Sequence, residues 1–266
     1  MRYICTIADS KILNDFEIFR QSIRNTGWED PIFVFSHDKK LAKKLPSDCV
    51  FVYKEGWWAD ASKLDKCRNK PTLLKPSIFL SSEFREGDEI LYMDSADLAI
   101  FCHPKHIFNA NKKLLGAKPF SYGNYINRLD DKTREDLNLN PEYFKKHKIV
   151  NAGVIVGKIS DDLLDNIKIW QDILLQYPKY GSPYPKAKVA GDQYAFNYIF
   201  RKMKDEGLAD YLPKKYNLNS SKKVRQLEAR EGVFYYGDKP VYVAHSTGGG
   251  GLPQWMKTLI KNGGLK

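Results

Sequence analysis

Short apolar runs alternate with segments of helical period through the first part of this chain, and few folds can bury that pattern. Residues 3–8 form a compact, largely apolar run. Residues 10–27 follow, with Leu13, Phe16, Phe19 and Ile23 at helical spacing and Gly27 as a stop. Ile32-Phe33-Val34-Phe35 is the next strand, a short lysine-rich helix comes after it, and residues 50–53 make a third strand. Residues 73–84 read as a helix ending near Gly87, and Ile90-Leu91-Tyr92-Met93 is a fourth strand running directly into Asp94. Strands that are apolar throughout, separated by helices, predict an α/β fold: a central, mostly parallel sheet flanked by helices.

The second half is less regular. Residues 119–148 mix turn formers, aromatics and charges, as expected of a substrate-side excursion. Residues 150–159 return to strand character, and Leu163, Ile167, Trp170, Leu174 and Tyr177 mark an amphipathic helix. Residues 177–190 hold three prolines and predict a loop, a candidate lid. Asp192 opens a helix with Ala195, Phe196, Ile199, Phe200 and Met203 on one face. Residues 233–236 and 241–244 predict a hairpin turning at Gly237-Asp238. No internal repeat, low-complexity tract or linker divides the chain, so residues 1–266 are expected to form one domain.

The formal net charge of +11 favours anionic partners such as phosphate-bearing substrates, an anionic membrane face or nucleic acid. The lysines are spread in pairs along the chain, which is the pattern of a solvated surface rather than a binding stripe, and most aromatics fall on helix faces with apolar partners. Nucleic acid is therefore not the expected partner. Cys5, Cys49, Cys67 and Cys102 are scattered without a CxxC, as reduced thiols are. No run approaches the ~20 apolar residues of a membrane span, and the N-terminus enters a strand without a signal-peptide core, so a cytoplasmic location is expected. Trp255, Met256, Leu259 and Ile260 with Lys257 and Lys261 suit either a membrane-surface helix or a terminal helix packed on the domain. Adjacent Trp57 and Trp58 cannot both point inward, and one of them could line an acceptor site.

In open parallel sheets, ligands bind beyond the carboxyl ends of the strands. That directs attention to Asp94-Ser95-Ala96-Asp97. Two carboxylates there suit a hard divalent cation shared with substrate phosphates, or merely solvate a turn. His245 follows a strand and precedes four glycines, which sets it apart from the other four histidines. Asp192 suits a helix N-cap as well as a site residue. Gln193 could be only a first-turn residue, and residues 248–251 only a flexible loop. Asn151 is harder to dismiss, since asparagine is disfavoured in strands. No GxGxxG follows the first strand and no GxxxxGK[ST] occurs, which argues against dinucleotide and P-loop folds.

Taken in order, these segments resemble the GT-A glycosyltransferases, family 8 in particular. Residues 90–97 resemble its strand-plus-DxD segment, Val150-Asn151-Ala152-Gly153-Val154 its NAG strand, Asp192-Gln193-Tyr194-Ala195-Phe196-Asn197 its Asp-Gln helix start, and His245-Ser246-Thr247-Gly248 its closing His-x-x-Gly. The resemblance implies a GT-A-like fold and transfer of a sugar from a nucleotide-sugar donor, a UDP-sugar, to a glycan or other acceptor. It implies Asp94, Asp97 and His245 as metal ligands, with the imidazole favouring Mn²⁺ over Mg²⁺. It places Ala8 and Asp9 at the nucleoside, Asn151, Asp192 and Gln193 around the donor sugar, Lys75 near the diphosphate or sugar, and Gly248 by the phosphates. Two departures stand out. The acids here are three apart where the family has two, so Asp97 can join Asp94 only if the chain has turned by Ser95 or Ala96. The family's Lys-Pro-Trp is replaced by Leu252-Pro253-Gln254-Trp255, without the lysine. Two other readings stay open: a GT-A transferase with a different donor and inverting chemistry, or a non-catalytic basic module for nucleic-acid binding or scaffolding.

Overall fold

The alternating strands and helices form a mixed sheet whose two faces carry separate apolar clusters. The computed structural model describes residues 1–55, 73–120, 148–176, 191–230, 232–247 and 251–263. Among these, β1 (Arg2–Ile7), β2 (Ile32–Ser36), β3 (Cys49–Tyr53), β4 (Glu89–Met93), β6 (Leu115–Phe120), β7 (Ile149–Lys158) and β8 (Ala209–Tyr211) make a seven-stranded sheet in the order β3-β2-β1-β4-β7-β6-β8. β1 pairs in parallel with β2 and β4, β2 with β3, and β6 with β8; β7 runs antiparallel to both its neighbours. The expected mostly parallel sheet is thus present, with one reversed strand inside it. Residues 56–72, the candidate lid at 177–190 and most of the 119–148 excursion lie outside the described residues, and so do Trp57, Trp58 and Cys67.

Side-chain alternation along each strand sends residues to opposite faces. Cys5 and Ile7 of β1 and Ile90 and Tyr92 of β4 join Leu163, Ile167 and Trp170 of α4 (Asp161–Gln176) and Phe196, Ile199 and Phe200 of α5 (Gly191–Asp205). Ile4, Leu91 and Met93 point the other way, to Phe16, Phe19 and Ile23 of α1 (Leu13–Arg24) and Phe108 of α3 (Lys105–Ala110). Arg20 and Arg24 of α1 also reach the Asp48 carboxylate, at 2.7 and 2.6 Å. Partly exposed pairs of that kind contribute about 1 kcal/mol or less, whereas each fully buried Phe or Ile contributes about 1.5–3 kcal/mol. The apolar face, not the arginines, docks this helix.

Two expectations need correction. The helix predicted over residues 73–84 is only α2 (Lys75–Phe79). Beyond it the Ser81 hydroxyl accepts from the Glu83 N–H at 3.5 Å and the Asp88 carboxylate from the Arg85 N–H at 2.8 Å, so polar side chains draw the backbone out of helix. The predicted hairpin is also different. β11 (Val233–Tyr236) turns into β12 (Lys239–Val241), with Phe234 opposite Val241, while β13 (Val243–His245) leaves for another sheet between β5 (Leu98–Ile100) and β9 (Leu218–Asn219). Val243 packs into the cluster under α1 and Ala244 into a third cluster with Phe234 and Met256, so β13 is buried on both faces, as a central strand is and a hairpin arm is not.

The terminal helix α7 (Gln254–Lys261) spends its apolar face on the protein: Met256 and Ile260 are buried in the third cluster, and Lys257 pairs with Asp15 of α1 at 2.7 Å. Of the two readings left open for this segment, the packed helix is the one observed, with Trp255 exposed beside Phe234. No described helix is long and apolar enough to cross a membrane. Cys5, Cys49 and Cys102 are free thiols.

One tight contact fixes how α2 and α4 sit on β7. A Cβ added at Gly157 would stand 2.7 Å from Phe79 Cε1 and 3.2 Å from Leu163 Cδ2, with a ring and a core leucine on that side. Gly157→Ala is expected to cost about 1–3 kcal/mol by overpacking, read as a lower denaturation midpoint at unchanged slope.

Candidate active site

Parallel strands align their carboxyl ends along one edge of the sheet, and the site is built there. The ends of β1 and β4 are laced together by hydroxyls: Thr6 Oγ1 donates to the Met93 carbonyl and Ser95 Oγ to the Ile7 carbonyl, both at 2.7 Å. Ala8, at the end of β1, is buried, and its N–H reaches the Phe35 carbonyl at 3.2 Å. The Asp9 carboxylate turns back on its own loop and accepts from the N–H groups of Lys11 at 2.8 Å and Ile12 at 3.3 Å. It therefore shapes the turn into α1 and brings that loop to the sheet edge.

The next strand, β7, is irregular where it reaches this edge. Ala117 of β6 faces Ile155 and Pro119 faces Val150, so Lys118 alone stands opposite Asn151, Ala152, Gly153 and Val154. Pro119 has no N–H to donate, and the ladder fails there. The orphaned backbone groups are taken over by two side-chain amides of α5. Asn197 Oδ1 accepts from the Val150 N–H at 2.8 Å and its Nδ2 donates to the Val150 carbonyl at 2.9 Å; Gln193 Oε1 accepts from the Ala152 N–H at 3.1 Å and its Nε2 donates to the Val150 carbonyl. Asn151 and Gly153 are thereby freed to face the site.

Gly153 is where the pieces meet. An added Cβ there would collide with the His245 ring, with Asp94 Oδ2 and with Asn151 Oδ1. Only glycine lets those three side chains close over the strand. Its carbonyl also accepts from the Asp94 N–H at 2.9 Å. After β4 the chain bends at residues 95–97 before β5 begins, which brings Asp97 round to the same side as Asp94 despite the three-residue offset. His245 Nε2 lies 3.1 Å from Asp97 Oδ1 and 3.6 Å from Asp94 Oδ2. The Ser246 N–H donates to the Asp97 carbonyl at 2.8 Å, locking the histidine strand to the acidic turn.

Lys75 lies behind Asp94. It is 3 % exposed, its Nζ stands 3.2 Å from Asp94 Oδ1 and 3.1 Å from the Ala152 carbonyl, and it lies over the Tyr92 ring at 5.2 Å. The Tyr92 hydroxyl donates to the same carboxylate oxygen at 2.5 Å. Burial opposes ionisation of Asp94, but the Lys75 ammonium, then His245 and the Tyr92 hydroxyl, outweigh it and hold the carboxyl below its ordinary range. One oxygen of Asp94 is thus turned to Lys75 and Tyr92 and the other to His245.

Of the residues singled out in the sequence, Asp94, Asp97, His245, Lys75 and Asn151 come together. Asn151 Oδ1 accepts from the N–H of Gly153 at 3.0 Å and from Asn217 Nδ2 at 2.9 Å, which leaves its own Nδ2 for a ligand. Ala8 and Asp9 lie along the same edge. Gln193 is held against the β7 backbone, so its amide orients the strand. Asp192 lies in the first turn of α5, one residue inside the helix start rather than at the cap, and its side chain and Gly248 lie outside the described residues. Asn217 belongs to no sequence motif, while Tyr92 and Asn197 lie inside motif segments where nothing in the pattern marks them as partners of the site. Gly153 belongs to the 150–154 motif, but nothing in that motif says that three side chains close over it. Among the described residues, the buried atoms His245 Nδ1, Asn217 Oδ1 and Ser246 Oγ have no hydrogen-bond partner. No described group of three His, Cys, Asp or Glu side chains is preset as a metal cage.

No protein-family model matches the chain, and no curated protein matches it by sequence. Its fold does match solved structures. The galactosyltransferase LgtC, in complex with donor and acceptor sugar analogs, superposes with a TM-score of 0.63 over 99 % of this chain and 95 % of its own, at 15 % identity. An active-site mutant of LgtC gives a TM-score of 0.62 at 14 % identity, covering 99 % of this chain and 95 % of its own. The glycosyltransferase GlyE of Streptococcus pneumoniae TIGR4 gives 0.58 at 13 % identity, covering 100 % of this chain and 61 % of its own. The α/β fold is therefore that of glycosyltransferases.

The Lys75–Asp94 pair has a pH signature. Because the native carboxyl titrates below its unfolded value, its contribution is full above the ordinary carboxylate pKa of about 4 and is lost as pH falls through the lower native value. Lys75→Met strands the carboxylate and is expected to cost about 3 kcal/mol at neutral pH. Chemical denaturation at several pH values should show its deficit against wild type shrinking as the pH drops below the carboxylate range.

Proposed function

We propose that this chain is a metal-dependent glycosyltransferase that moves a sugar from a UDP-sugar to a glycan or other glycoconjugate acceptor. The observation that carries it is the meeting of Asp94, Asp97 and His245 at the carboxyl edge of the sheet, on two segments tied together by a backbone hydrogen bond. A binding or scaffolding module gains nothing from holding a carboxylate ionised against a buried lysine beside a second acid and an imidazole. The likeness to LgtC adds a fold known to host this chemistry, which is support by analogy.

Asp94, Asp97 and His245 suit a divalent cation in kind, though as they stand they are not preset as a cage. Donors sharing one octahedral ion at ~2.1 Å stand about 3 Å apart, and the His245 nitrogen is 3.1 and 3.6 Å from the two carboxylate oxygens. Three acceptor atoms converge, so either a proton on Nε2 or a cation must lie among them. Asp94, Asp97 and His245 would hold the metal, and the imidazole favours Mn²⁺ over Mg²⁺. When bound, the ion supplies Lewis-acid stabilisation of the departing nucleoside diphosphate.

The protein's own groups prepare the rest. Lys75 and Tyr92 keep Asp94 ionised and oriented, so no reorganisation is needed when charge develops on the leaving group. The backbone around Ala8 and Asp9 receives the nucleoside. Asn151 offers its Nδ2 to the donor sugar and Asp192 serves the same sugar, while Gln193 acts through the strand it positions. The glycine segment that includes Gly248 supplies backbone N–H groups to the phosphates.

Isothermal titration of UDP tests this. With EDTA no binding is expected; with Mn²⁺, binding in the micromolar range should appear and vanish in Asp94→Ala. Asp97→Asn leaves the Lys75–Asp94 pair intact and should weaken the manganese-dependent binding without lowering stability. Folded protein that fails to bind UDP under either condition would remove the donor assignment.

A further inference from the structure

Among the described residues two lysines, Lys75 and Lys118, are buried, and they are treated oppositely. Lys75, 3 % exposed, has a carboxylate and a carbonyl within 3.2 Å. Lys118 of β6 is 8 % exposed, and no described hydrogen bond or ion pair reaches it. Its charged neighbours are Lys223 and Lys214, which are both exposed. Burial first, then those two ammonium groups, push Lys118 down to about 8. A buried cation without a partner is costly to keep, and a lysine serving only the fold would be paired or replaced.

Its position is as telling as its environment. Lys118 is the single β6 residue opposite the 151–154 stretch that carries Asn151 and Gly153. Lys214 follows β8 and lies three residues before Asn217, which bonds Asn151. Lys223 sits in the short helix α6 (Ser221–Val224), whose preceding residue, Ser220, donates its N–H to the His245 carbonyl at 3.1 Å. Along the sheet edge the order runs β1, β4, β7, β6. With strands ~4.8 Å apart, a donor laid from its nucleoside at β1, across the acidic turn after β4, to its sugar at β7 leaves β6 for whatever lies beyond that sugar.

We propose that Lys118, rimmed by Lys214 and Lys223, binds an anionic group on the acceptor sugar, a carboxylate or a phosphate. The word acceptor rests on the glycosyltransferase reading; the anion rests on the lysine cluster itself. An incoming carboxylate or phosphate gives the buried ammonium the counter-charge it lacks, through charge-assisted hydrogen bonds. A neutral sugar would leave it unpaired, so the cluster selects for charge in the acceptor.

Backbone-amide NMR titration with glucuronate, glucose 6-phosphate and glucose tests the subsite directly. Saturable shifts in residues 115–120 and 212–217 are expected with an anionic sugar and not with glucose, and the anion that saturates identifies the group as carboxylate or phosphate. Lys118→Met should weaken that binding roughly tenfold or more, as loss of a charged hydrogen bond does, and Lys118→Arg should retain it. Thermal denaturation gives a second readout: Lys118→Met should raise the midpoint, because an unpaired buried charge is gone. Equal shifts with glucose, unchanged affinity in Lys118→Met, or a lowered midpoint would each overturn the subsite. Titration of UDP with Mn²⁺ into the wild type separates the two readings. Anion binding without UDP binding keeps the subsite and removes its acceptor role; UDP binding without anion binding does the reverse.

Discussion

The candidate site depends on a sheet ladder that cannot be completed. Pro119 brings no N–H to its pairing with Val150, and one residue of β6 must face four of β7. Left unanswered, the freed N–H and C=O groups of Val150 and the N–H of Ala152 would be buried without partners, at a cost of about 1–3 kcal/mol each. Gln193 and Asn197 answer them from α5, one helical turn apart and on one face. Their side chains act as a short piece of extra strand. Everything at the edge follows: the Ala152 carbonyl turns to Lys75, Gly153 offers a surface without a side chain, and Asn151 points at Asn217. Bulges recur beside active sites because they re-aim side chains that a regular ladder would fix alternately up and down.

Electrostatics at the edge are arranged around that irregularity. The negative charge is concentrated on the bend after β4, balanced from behind by Lys75 and faced from across by the His245 ring. The positive charge accumulates on the β6 side, where Lys118, Lys214 and Lys223 have no described acid among them. An overall charge of +11 says nothing about this division. What matters is that a phosphate-bearing ligand would meet cations beyond the acids, and that the acids are held ionised by a lysine that the ligand need not touch.

Much of this was legible in the sequence because it follows from local rules. Apolar runs bounded by turns gave β1, β2, β4 and β7, and the placement of Asp94 at the end of a buried strand followed from the parallel-sheet pattern. Whether Asp97 could join it was not decidable from spacing alone; the bend at residues 95–97 settles it. The hairpin was misread because Tyr242, not a glycine or proline, marks the change of sheet, and its N–H is held by the distant Lys215 carbonyl. Gln193 looked like a group for the substrate because a side-chain amide bonding a strand backbone leaves no periodic trace. Lys118 was one lysine among many. Its burial and its lack of a partner exist only once β6, residues 214–216 and α6 have been brought together.

The sheet that carries His245 has a consequence for how the protein comes to be. β5 follows the acidic turn almost at once, but its partner β13 lies far along the chain, and β9 joins it in parallel from a third place. The two carboxylates and their lysine can be assembled from residues 1–100 and β7, whereas the imidazole comes later, on a strand made after all of them. As domains form from the N-terminus during synthesis, a growing chain would hold a nearly finished sheet with an acidic edge still open on one side. Docking of β13 thus closes the core and brings the imidazole to the carboxylates in one event, so the cluster is completed with that strand rather than before it.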